Sequence, residues 1–358
     1  MIDTPLAQTQ TAHFEIDFTR YLDKDGKVVT PLPAAYDSAK ITELYRAILR
    51  TRTFDEKALA LQRTGRIGTY ASSLGMEAIF VGAATALASD DVLVPSFREH
   101  GSFLVRGALP REIFLYWGGD ERGNSYAKAS GDLPYSVPVG SHSAHAAGIA
   151  LAFKIRKQPR AALAIFGDGA TSKGDVYESF NFAGVWKLPV VYVINNNQWA
   201  ISVPLKKQTA AETLAQKAIA AGVRCEQIDG NDAVAVHAAC TAALDRARKG
   251  EGPTVIEAIS YRLTDHTTAD NASRYRSDDE VTAHWTEEPA KRLELYLTSI
   301  GKWSKDDQEK LLAELRAEMD KEADAYLATP PQDPSTIFDY TYATLPAELA
   351  RQKEQALK

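Results

Sequence analysis

Two short apolar runs with a helical pattern between them stand out at the centre of the chain. Residues 161–166 and 189–194 are apolar segments of strand length, and the intervening residues 173–185 have the apolar spacing of a helix. A strand, a helix and a second strand in close succession form a right-handed βαβ unit, whose two strands are parallel. The centre of the chain therefore predicts a parallel α/β sheet.

The flanking segments extend this pattern to a doubly wound parallel α/β sheet with helical N- and C-terminal extensions. Further strands are predicted at residues 92–94 and 253–260, and helices at residues 38–63, 76–87 and 304–328. Residues 261–276 are polar with little periodicity, and we expect them to form a mobile loop. We divide the chain into an irregular N-terminal arm (1–36), an α/β domain (37–300) and a C-terminal helical extension (301–358).

Polar side chains follow both central strands at the point where each strand ends. Asp168 lies in a Gly-Asp-Gly sequence after the first strand, and Asn197 ends an Asn-Asn-Asn sequence after the second. Parallel strands bring these positions to the same edge of the sheet, where ligands of such folds bind. Carboxylate and amide oxygens suit Mg²⁺ or Ca²⁺, and phosphates and water commonly complete the shell of Mg²⁺. Gly167 and Gly169 allow a phosphate to approach the backbone closely, next to the N-terminus of the following helix.

The Gly-Asp-Gly sequence alone leaves an alternative open, because it also suits a plain turn in which Asp168 caps the helix. The complete pattern of Gly-Asp-Gly, helix, strand and Asn196–Asn197 is more specific and favours a metal-bound diphosphate. A dinucleotide site is excluded by the absence of GxGxxG spacing, and a P-loop by the absence of its lysine pattern.

Composition excludes several other classes of protein. The net charge of −6 over 358 residues gives no indication of nucleic-acid binding or of an anionic membrane surface. The two cysteines, Cys225 and Cys240, form neither a zinc motif nor a disulfide framework. We see no apolar stretch long enough to span a membrane and no signal segment, so we expect a cytoplasmic protein.

The central pattern is the signature of thiamine-diphosphate enzymes, and other segments narrow the resemblance. The segments TGRIGTY, FREHG, GDGATSKGDVYESFNFAGVWKLPVVYVINNNQWAIS, YRLTDHTTAD and SRYR resemble the alpha subunit of the decarboxylating component of 2-oxo acid dehydrogenase complexes. The resemblance covers the chain from about Phe14 to its C-terminus. It implies the thiamine-diphosphate-binding fold, with thiamine diphosphate and Mg²⁺ as cofactors.

The resemblance also implies roles for individual residues. The metal ligands would be Asp168, Asn197 and the backbone carbonyl of Trp199. Residues implied to contact the cofactor are Phe97, Arg98, Val137, Val139, Gly169, Ala170, Arg262 and His266. His266 would also assist acyl transfer to lipoamide, and Asp175 and Glu178 would line a tunnel between two active sites. The sequence departs from the family pattern at Phe97 and Trp199, where relatives often have tyrosine, and at residues 141–145 (SHSAH).

The resemblance implies an oxidoreductase that acts only together with a beta subunit, which supplies the glutamate that activates the aminopyrimidine. Two alpha and two beta chains would assemble on a dihydrolipoyl acyltransferase that carries lipoyl domains. Pyruvate dehydrogenase is the interpretation we favour, with branched-chain 2-oxo acid dehydrogenase as the close alternative and an acetoin-cleaving enzyme as a third. A non-catalytic binding protein of the same fold is disfavoured by the intact metal pair, Arg98 and His266.

Two features of the sequence allow more than one interpretation. His100, His142 and His145 suit either core or interface positions. The small side chains of residues 141–152 allow close helix packing, either in the core or at a subunit interface.

Overall fold

A computed structural model describes residues 11–129 and 131–358; the first ten residues of the predicted arm lie outside them. The strands are β1 Phe18–Thr19, β2 Val92–Val94, β3 Ala162–Gly167, β4 Val190–Asn196, β5 Trp199–Ala200, β6 Val203–Pro204, β7 Arg224–Asp229 and β8 Thr254–Ile259. The helices are α1 Ser38–Arg63, α2 Glu77–Thr85, α3 His100–Arg106, α4 Pro110–Trp117, α5 Ser141–Ile155, α6 Gly174–Trp186, α7 Gln216–Ile219, α8 Ala233–Arg248, α9 Asp278–Trp285, α10 Pro289–Ser299, α11 Lys305–Leu327 and α12 Ala347–Ala356. Short 3₁₀ turns occupy Glu121–Asn124, Asp168–Ser172, Leu205–Lys207, Ala272–Arg274 and Pro334–Phe338.

Six strands of the described chain form one parallel sheet in the order β1-β7-β8-β4-β3-β2. Successive side chains of a strand point to opposite faces of the sheet, and in the central strands the side chains on both faces are buried. In β3, Leu163 and Ile165 pack into one hydrophobic cluster, whereas Ala164 and Phe166 pack into another. Helices therefore cover both faces, and the prediction of a doubly wound parallel α/β sheet is confirmed.

The sequence placed the main elements closely. Helix α1 has the predicted bounds, and β2, β3, β4 and β8 lie within two residues of theirs. Asp37 caps α1 by accepting a hydrogen bond from the Lys40 backbone N–H at 2.9 Å. The helix that we predicted at residues 173–185 begins at Gly174 and follows a 3₁₀ turn, so the turn rather than the α-helix comes directly after Gly167.

The N-terminal arm differs from the prediction because it is only partly irregular. Its residues Phe18 and Thr19 form strand β1, which adds to the edge of the sheet beside β7. The Asp232 carboxylate holds the arm by accepting hydrogen bonds from the backbone N–H groups of Tyr21 and Leu22 at 2.7 and 2.8 Å. A two-residue strand is too short to produce a detectable alternation in the sequence.

The C-terminal helix α11 is part of the core. Its buried side chains Leu311, Leu315 and Met319 pack with residues of α1 and α4. The domain limits at residues 36 and 300 stay a prediction. No helix of the described residues is long and apolar enough to cross a bilayer.

Candidate active site

A cavity of about 550 Å³ lies beyond the carboxyl ends of β3 and β4. Its position follows from the register of the sheet, in which Gly167 pairs with Asn195, so that the two following loops emerge side by side. Asp168 and Asn197 both line the cavity and are 1% and 7% exposed. The structure thus brings together the two side chains that the sequence placed at one sheet edge.

Most of the residues implied by the resemblance line this same cavity. The set comprises Phe97, Arg98, Val137, Val139, Asp168, Gly169, Ala170, Asn197, Trp199 and His266. Arg262, Asp175 and Glu178 do not line it. Residues from five separate parts of the chain therefore converge on one space, while the roles of the individual residues stay predictions.

The environment of Asp168 suits a cation. Its carboxylate accepts a hydrogen bond from Gln208 Nε2 at 2.5 Å and lies beside the backbone N–H of Gly169. Burial raises the pKa of this carboxyl to about 6, because these contacts and the more distant Arg262 only partly offset the loss of water. The carboxylate does not cap α6, whose N-cap is Lys173 without a side-chain bond, so the simple helix-cap alternative is not what the structure shows.

The donor set around Asp168 fits a hard divalent ion. Asn197 Oδ1 lies close to the Trp199 backbone, from whose N–H it accepts a hydrogen bond at 3.2 Å. Within residues 11–129 and 131–358, no cluster of three or more acidic, histidine or cysteine side chains is arranged to hold a metal. An ion at Asp168 would therefore depend on amide and backbone oxygens and on oxygens from a ligand or water, as is usual for Mg²⁺.

Gly169 provides a close backbone approach that a side chain would block. A Cβ atom built there would lie 2.7 Å from the Ala200 Cβ, well inside van der Waals contact. A Cβ at Gly167 would meet only Asn197 Nδ2, at 4.0 Å. The loop after β3 and the β5–β6 hairpin therefore pack directly against each other at Gly169, which also lines the cavity.

Arg98 and His266 contact each other and both line the cavity; Arg98 is buried and His266 is half-buried. Arg98 Nη1 donates to the Ser72 carbonyl at 2.6 Å, and Arg98 Nη2 donates to the His266 carbonyl at 2.8 Å and contacts His266 Nδ1 at 3.2 Å. A guanidinium has only donors, so His266 Nδ1 is the acceptor and Nε2 carries the proton. Burial, with Arg98 and Arg262 nearby, lowers the pKa of His266 to about 4, which makes the ring a neutral N–H donor at pH 7.

Arg262 is fully buried, does not line the cavity and hydrogen bonds to backbone carbonyls, while its contact with the cofactor stays a prediction. Its guanidinium donates to the carbonyls of Trp199 and Ile201 at 3.2 and 2.8 Å, and to the Tyr275 hydroxyl at 2.9 Å. Ile201 has a φ of 54°, an unfavourable conformation for a β-branched residue. The arginine therefore fastens a strained hairpin, which contains the Trp199 carbonyl, to the loop that carries His266.

Residues 261–276, which we expected to be mobile, are tied down by this network. Arg276 is also buried, and its guanidinium donates to the carbonyls of Arg262 and Thr264. The His266 N–H donates to Asp270 at 2.8 Å, and the Thr268 N–H donates to the Tyr70 carbonyl at 2.8 Å. The segment lacks long regular elements, as predicted, but it is fixed by hydrogen bonds that hydrophobic periodicity does not reveal.

Asp175 and Glu178 lie on α6, away from the cavity. Asp175 is half-buried and pairs with Lys173 at 3.4 Å, whereas Glu178 is exposed. Neither contributes to the site of this single chain, so their tunnel role stays a prediction that requires a second subunit.

Three residues of the site went unassigned in the sequence. Gln208, the hydrogen-bond donor to Asp168, received no role from the sequence. Glu99 lies within FREHG; it lines the cavity and is buried, which raises its pKa to about 7. His142 also lines the cavity, which answers in part the question left open by its sequence context. The departure of residues 141–145 from the family pattern was the available signal for His142.

Comparison with known proteins agrees with this geometry. The family described as "Dehydrogenase E1 component" matches residues 45–335. The pyruvate dehydrogenase E1 component subunit alpha of Acholeplasma laidlawii is 41% identical over 94% of this chain and 98% of its own length. The 3-methyl-2-oxobutanoate dehydrogenase subunit alpha of a Mycobacterium tuberculosis strain is 41% identical over 87% and 85% of the two chains. The pyruvate dehydrogenase alpha subunit of a Staphylococcus epidermidis strain is 37% identical over 98% and 94%. The chain belongs to the family of dehydrogenase E1 components.

Proposed function

We propose that this chain is the alpha subunit of a thiamine-diphosphate-dependent pyruvate dehydrogenase. The observation that carries the proposal is the cavity in which Asp168, Asn197, Gly169, Arg98 and His266 converge. The names of two of the relatives support pyruvate as substrate. Branched-chain 2-oxo acids are the second candidate, because the mycobacterial 3-methyl-2-oxobutanoate dehydrogenase subunit is equally similar to this chain.

The residues of the cavity fit a metal-bound diphosphate. We assign Mg²⁺ to Asp168, Asn197 and the Trp199 carbonyl, since these are hard oxygen donors and Asp168 lacks full charge compensation. The backbone of Gly169 and Ala170, two residues that line the cavity, would meet the diphosphate. Dehydrogenase E1 components depend on thiamine diphosphate, which when bound supplies the electron sink for decarboxylation of a 2-oxo acid.

Arg98 adds positive charge to the lining of the cavity. Burial and the nearby Arg262 lower the pKa of its guanidinium to about 10, so Arg98 remains charged at pH 7. A buried cation without a salt bridge is unfavourable, and an anionic group in the cavity would compensate it. Phe97 also lines the cavity, and its ring lies 5.3 Å from the Arg98 guanidinium and 5.9 Å from the His266 ring.

His266 is suited to donate a hydrogen bond during acyl transfer. Its Nε2–H is the free donor, because Nδ1 is directed to Arg98. We assign this N–H group to the second half of the reaction, in which the acyl group passes to the lipoyl group of a dihydrolipoyl acyltransferase. A neutral imidazole can stabilise a developing negative charge or transfer a proton at this point.

A beta subunit would complete the site. Val137 and Val139, which we assign to the aminopyrimidine end of the cofactor, are 55% and 47% exposed beside the cavity. On α5 and α6, Ile155, Val185 and Trp186 are also largely exposed, at 71%, 72% and 52%. Apolar exposure of this extent is typical of a subunit interface. Two alpha and two beta chains form the expected assembly, in which Asp175 and Glu178 would lie between active sites; a cytoplasmic location stays a prediction.

The proposal is tested by co-expressing the chain with its beta subunit and measuring dye reduction with thiamine diphosphate, Mg²⁺ and three substrates. Turnover of pyruvate well above 2-oxoisovalerate and acetoin is expected. The reverse order for 2-oxoisovalerate would assign the chain to branched-chain oxidation. No turnover by a well-assembled complex would overturn the function.

The metal assignment has its own test. Calorimetry of the assembled Asp168→Ala variant should show loss of Mg²⁺-dependent binding of thiamine diphosphate, because the one carboxylate in the donor set is removed. The exposed Asp306→Ala is a control far from the cavity, with unchanged affinity expected. Unchanged affinity in Asp168→Ala would show that the metal lies elsewhere.

A further inference from the structure

His142 is a buried side chain whose polar atoms have no partner. The residue is 1% exposed, and neither Nδ1 nor Nε2 makes a hydrogen bond. The Ile165 backbone lies close enough to influence the pKa of His142, but the contact does not have the geometry of a hydrogen bond. By contrast, the buried His100 bonds to Tyr135 and to the Ala71 carbonyl, each within 2.8 Å. An unpaired imidazole in a protein interior is unfavourable and calls for an explanation.

The ring of His142 faces the cofactor cavity. It lies in the first turn of α5 and lines the cavity together with Val137, Val139 and Gly140. Its other neighbour is the Phe166 ring, at 5.5 Å in an edge-on contact. The missing partners are therefore to be sought in whatever occupies the cavity.

The backbone around His142 is held by local contacts, which fix the position from which its side chain leaves α5. Gly140 precedes α5 with a φ of 85°, a conformation that glycine adopts without strain. The Ser143 hydroxyl donates to the Gly140 carbonyl at 2.6 Å and lies 3.2 Å from the Ser179 hydroxyl of α6. A fixed donor–acceptor pair is what selective recognition of a heterocycle requires.

We propose that His142 is a positioning residue that hydrogen bonds the heterocyclic end of the cofactor rather than its diphosphate. The inference rests on the proposed function. A neutral imidazole has one N–H donor and one acceptor nitrogen, which matches an aminopyrimidine with its amino group and ring nitrogens. Burial lowers the pKa of His142 to about 4, so the ring is uncharged at pH 7 and lacks the charge that a diphosphate would favour.

The experiment compares two ligands in the assembled alpha–beta enzyme. Trp117 and Trp199 line the cavity, so ligand binding can be followed by the change in tryptophan fluorescence. Affinity for thiamine diphosphate with Mg²⁺ is measured directly, and affinity for inorganic pyrophosphate by competition. For His142→Leu we expect an affinity for thiamine diphosphate that is about five- to tenfold weaker, from the loss of a neutral hydrogen bond, with unchanged affinity for pyrophosphate.

Two further variants separate recognition from packing. His142→Gln retains a donor and an acceptor and should recover most of the affinity for thiamine diphosphate. His145→Leu removes the exposed histidine one turn further along α5 and should change neither affinity. The cofactor-free His142→Leu enzyme should unfold at the same temperature as the wild type or higher, since two unpaired nitrogens are removed.

Equal weakening of both ligands would place His142 at the diphosphate and overturn the inference. Unchanged affinities would also overturn it, as would a lower unfolding temperature without selective loss of thiamine diphosphate. Failure of the wild-type enzyme to bind thiamine diphosphate would instead refute the proposed function, so the two failures are distinct.

Discussion

Replacing Gly169 by alanine tests how closely two loops of the site are packed. The added Cβ would lie 2.7 Å from the Ala200 Cβ, about 1 Å inside the ordinary contact distance for carbon atoms. Because Ala200 belongs to the hairpin that carries the Trp199 carbonyl, relief of the clash must displace a proposed metal ligand. Overpacking of this kind costs about 1–3 kcal/mol, and we expect both lower stability and weaker Mg²⁺-dependent cofactor binding.

A double-mutant cycle identifies the clash as the cause. In Gly169→Ala/Ala200→Gly the offending Cβ is gone, and the new methyl group meets only the Ala200 Cα at 3.7 Å and Gln208 Oε1 at 3.9 Å. The double variant should therefore recover affinity and thermal midpoint, with a coupling energy of about 1 kcal/mol or more.

Gly174→Ala is the matched control, because a Cβ there has no neighbour within 4 Å and the position lies in the first turn of α6. It should be neutral or slightly stabilising. Calorimetry and thermal unfolding of the assembled enzyme give both quantities. If Gly169→Ala behaved like Gly174→Ala, or if Ala200→Gly did not rescue it, the close packing described here would be wrong.

Three further predictions concern other parts of the chain. His266→Ala should spare decarboxylation measured with an artificial electron acceptor more than acyl transfer to lipoamide, and equal losses in the two assays would remove its proposed role. Asp232→Ala should destabilise the enzyme more than Asp37→Ala. Asp37→Ala removes an exposed helix cap worth about 1 kcal/mol, whereas Asp232→Ala leaves two backbone N–H groups of the arm unpaired. Equal shifts in the unfolding midpoint would contradict this. The unfolding midpoint of His142→Leu, relative to that of the wild type, should rise as the pH falls from 6.5 towards 4. The reason is that the pKa of His142 is lowered to about 4 in the folded protein, so His142 binds fewer protons there than in the unfolded chain. A difference that did not change with pH would refute that reasoning.

The sequence predicted the sheet and the core of the site because both depend on short-range patterns. Apolar runs located β3 and β4. Asp168 and Asn197 follow the ends of these two strands, and the parallel topology brings both to a common edge of the sheet. The family resemblance then supplied positions such as Arg98 and His266, which no local pattern connects to that edge. Those two positions are 168 residues apart and meet only in the folded chain.

Other features could not be predicted because they depend on contacts distant in sequence. The contacts of Arg262 are one such feature: its guanidinium donates to the carbonyls of Trp199, Ile201 and Thr264 and to the Tyr275 hydroxyl, a geometry without a sequence signature. Its contact with the cofactor stays a prediction. Gln208 reaches Asp168 from 40 residues away in a segment of no regular pattern. The strand β1 was missed because two residues show no periodicity, and its existence depends on the edge of β7 being free to receive it.

The short strands at the two edges of the sheet affect how readily the unassembled subunit aggregates. The outermost strands, β1 and β2, are only two and three residues long, so few unpaired backbone groups are presented to another chain. Short edges of this kind protect against strand-to-strand aggregation. If the chain is the alpha subunit that we propose, part of its exposed apolar surface lies on α5 and α6, at Ile155, Val185 and Trp186, where a partner must match side-chain shape. Before assembly, the subunit therefore presents few strand edges with which an incorrect chain could pair.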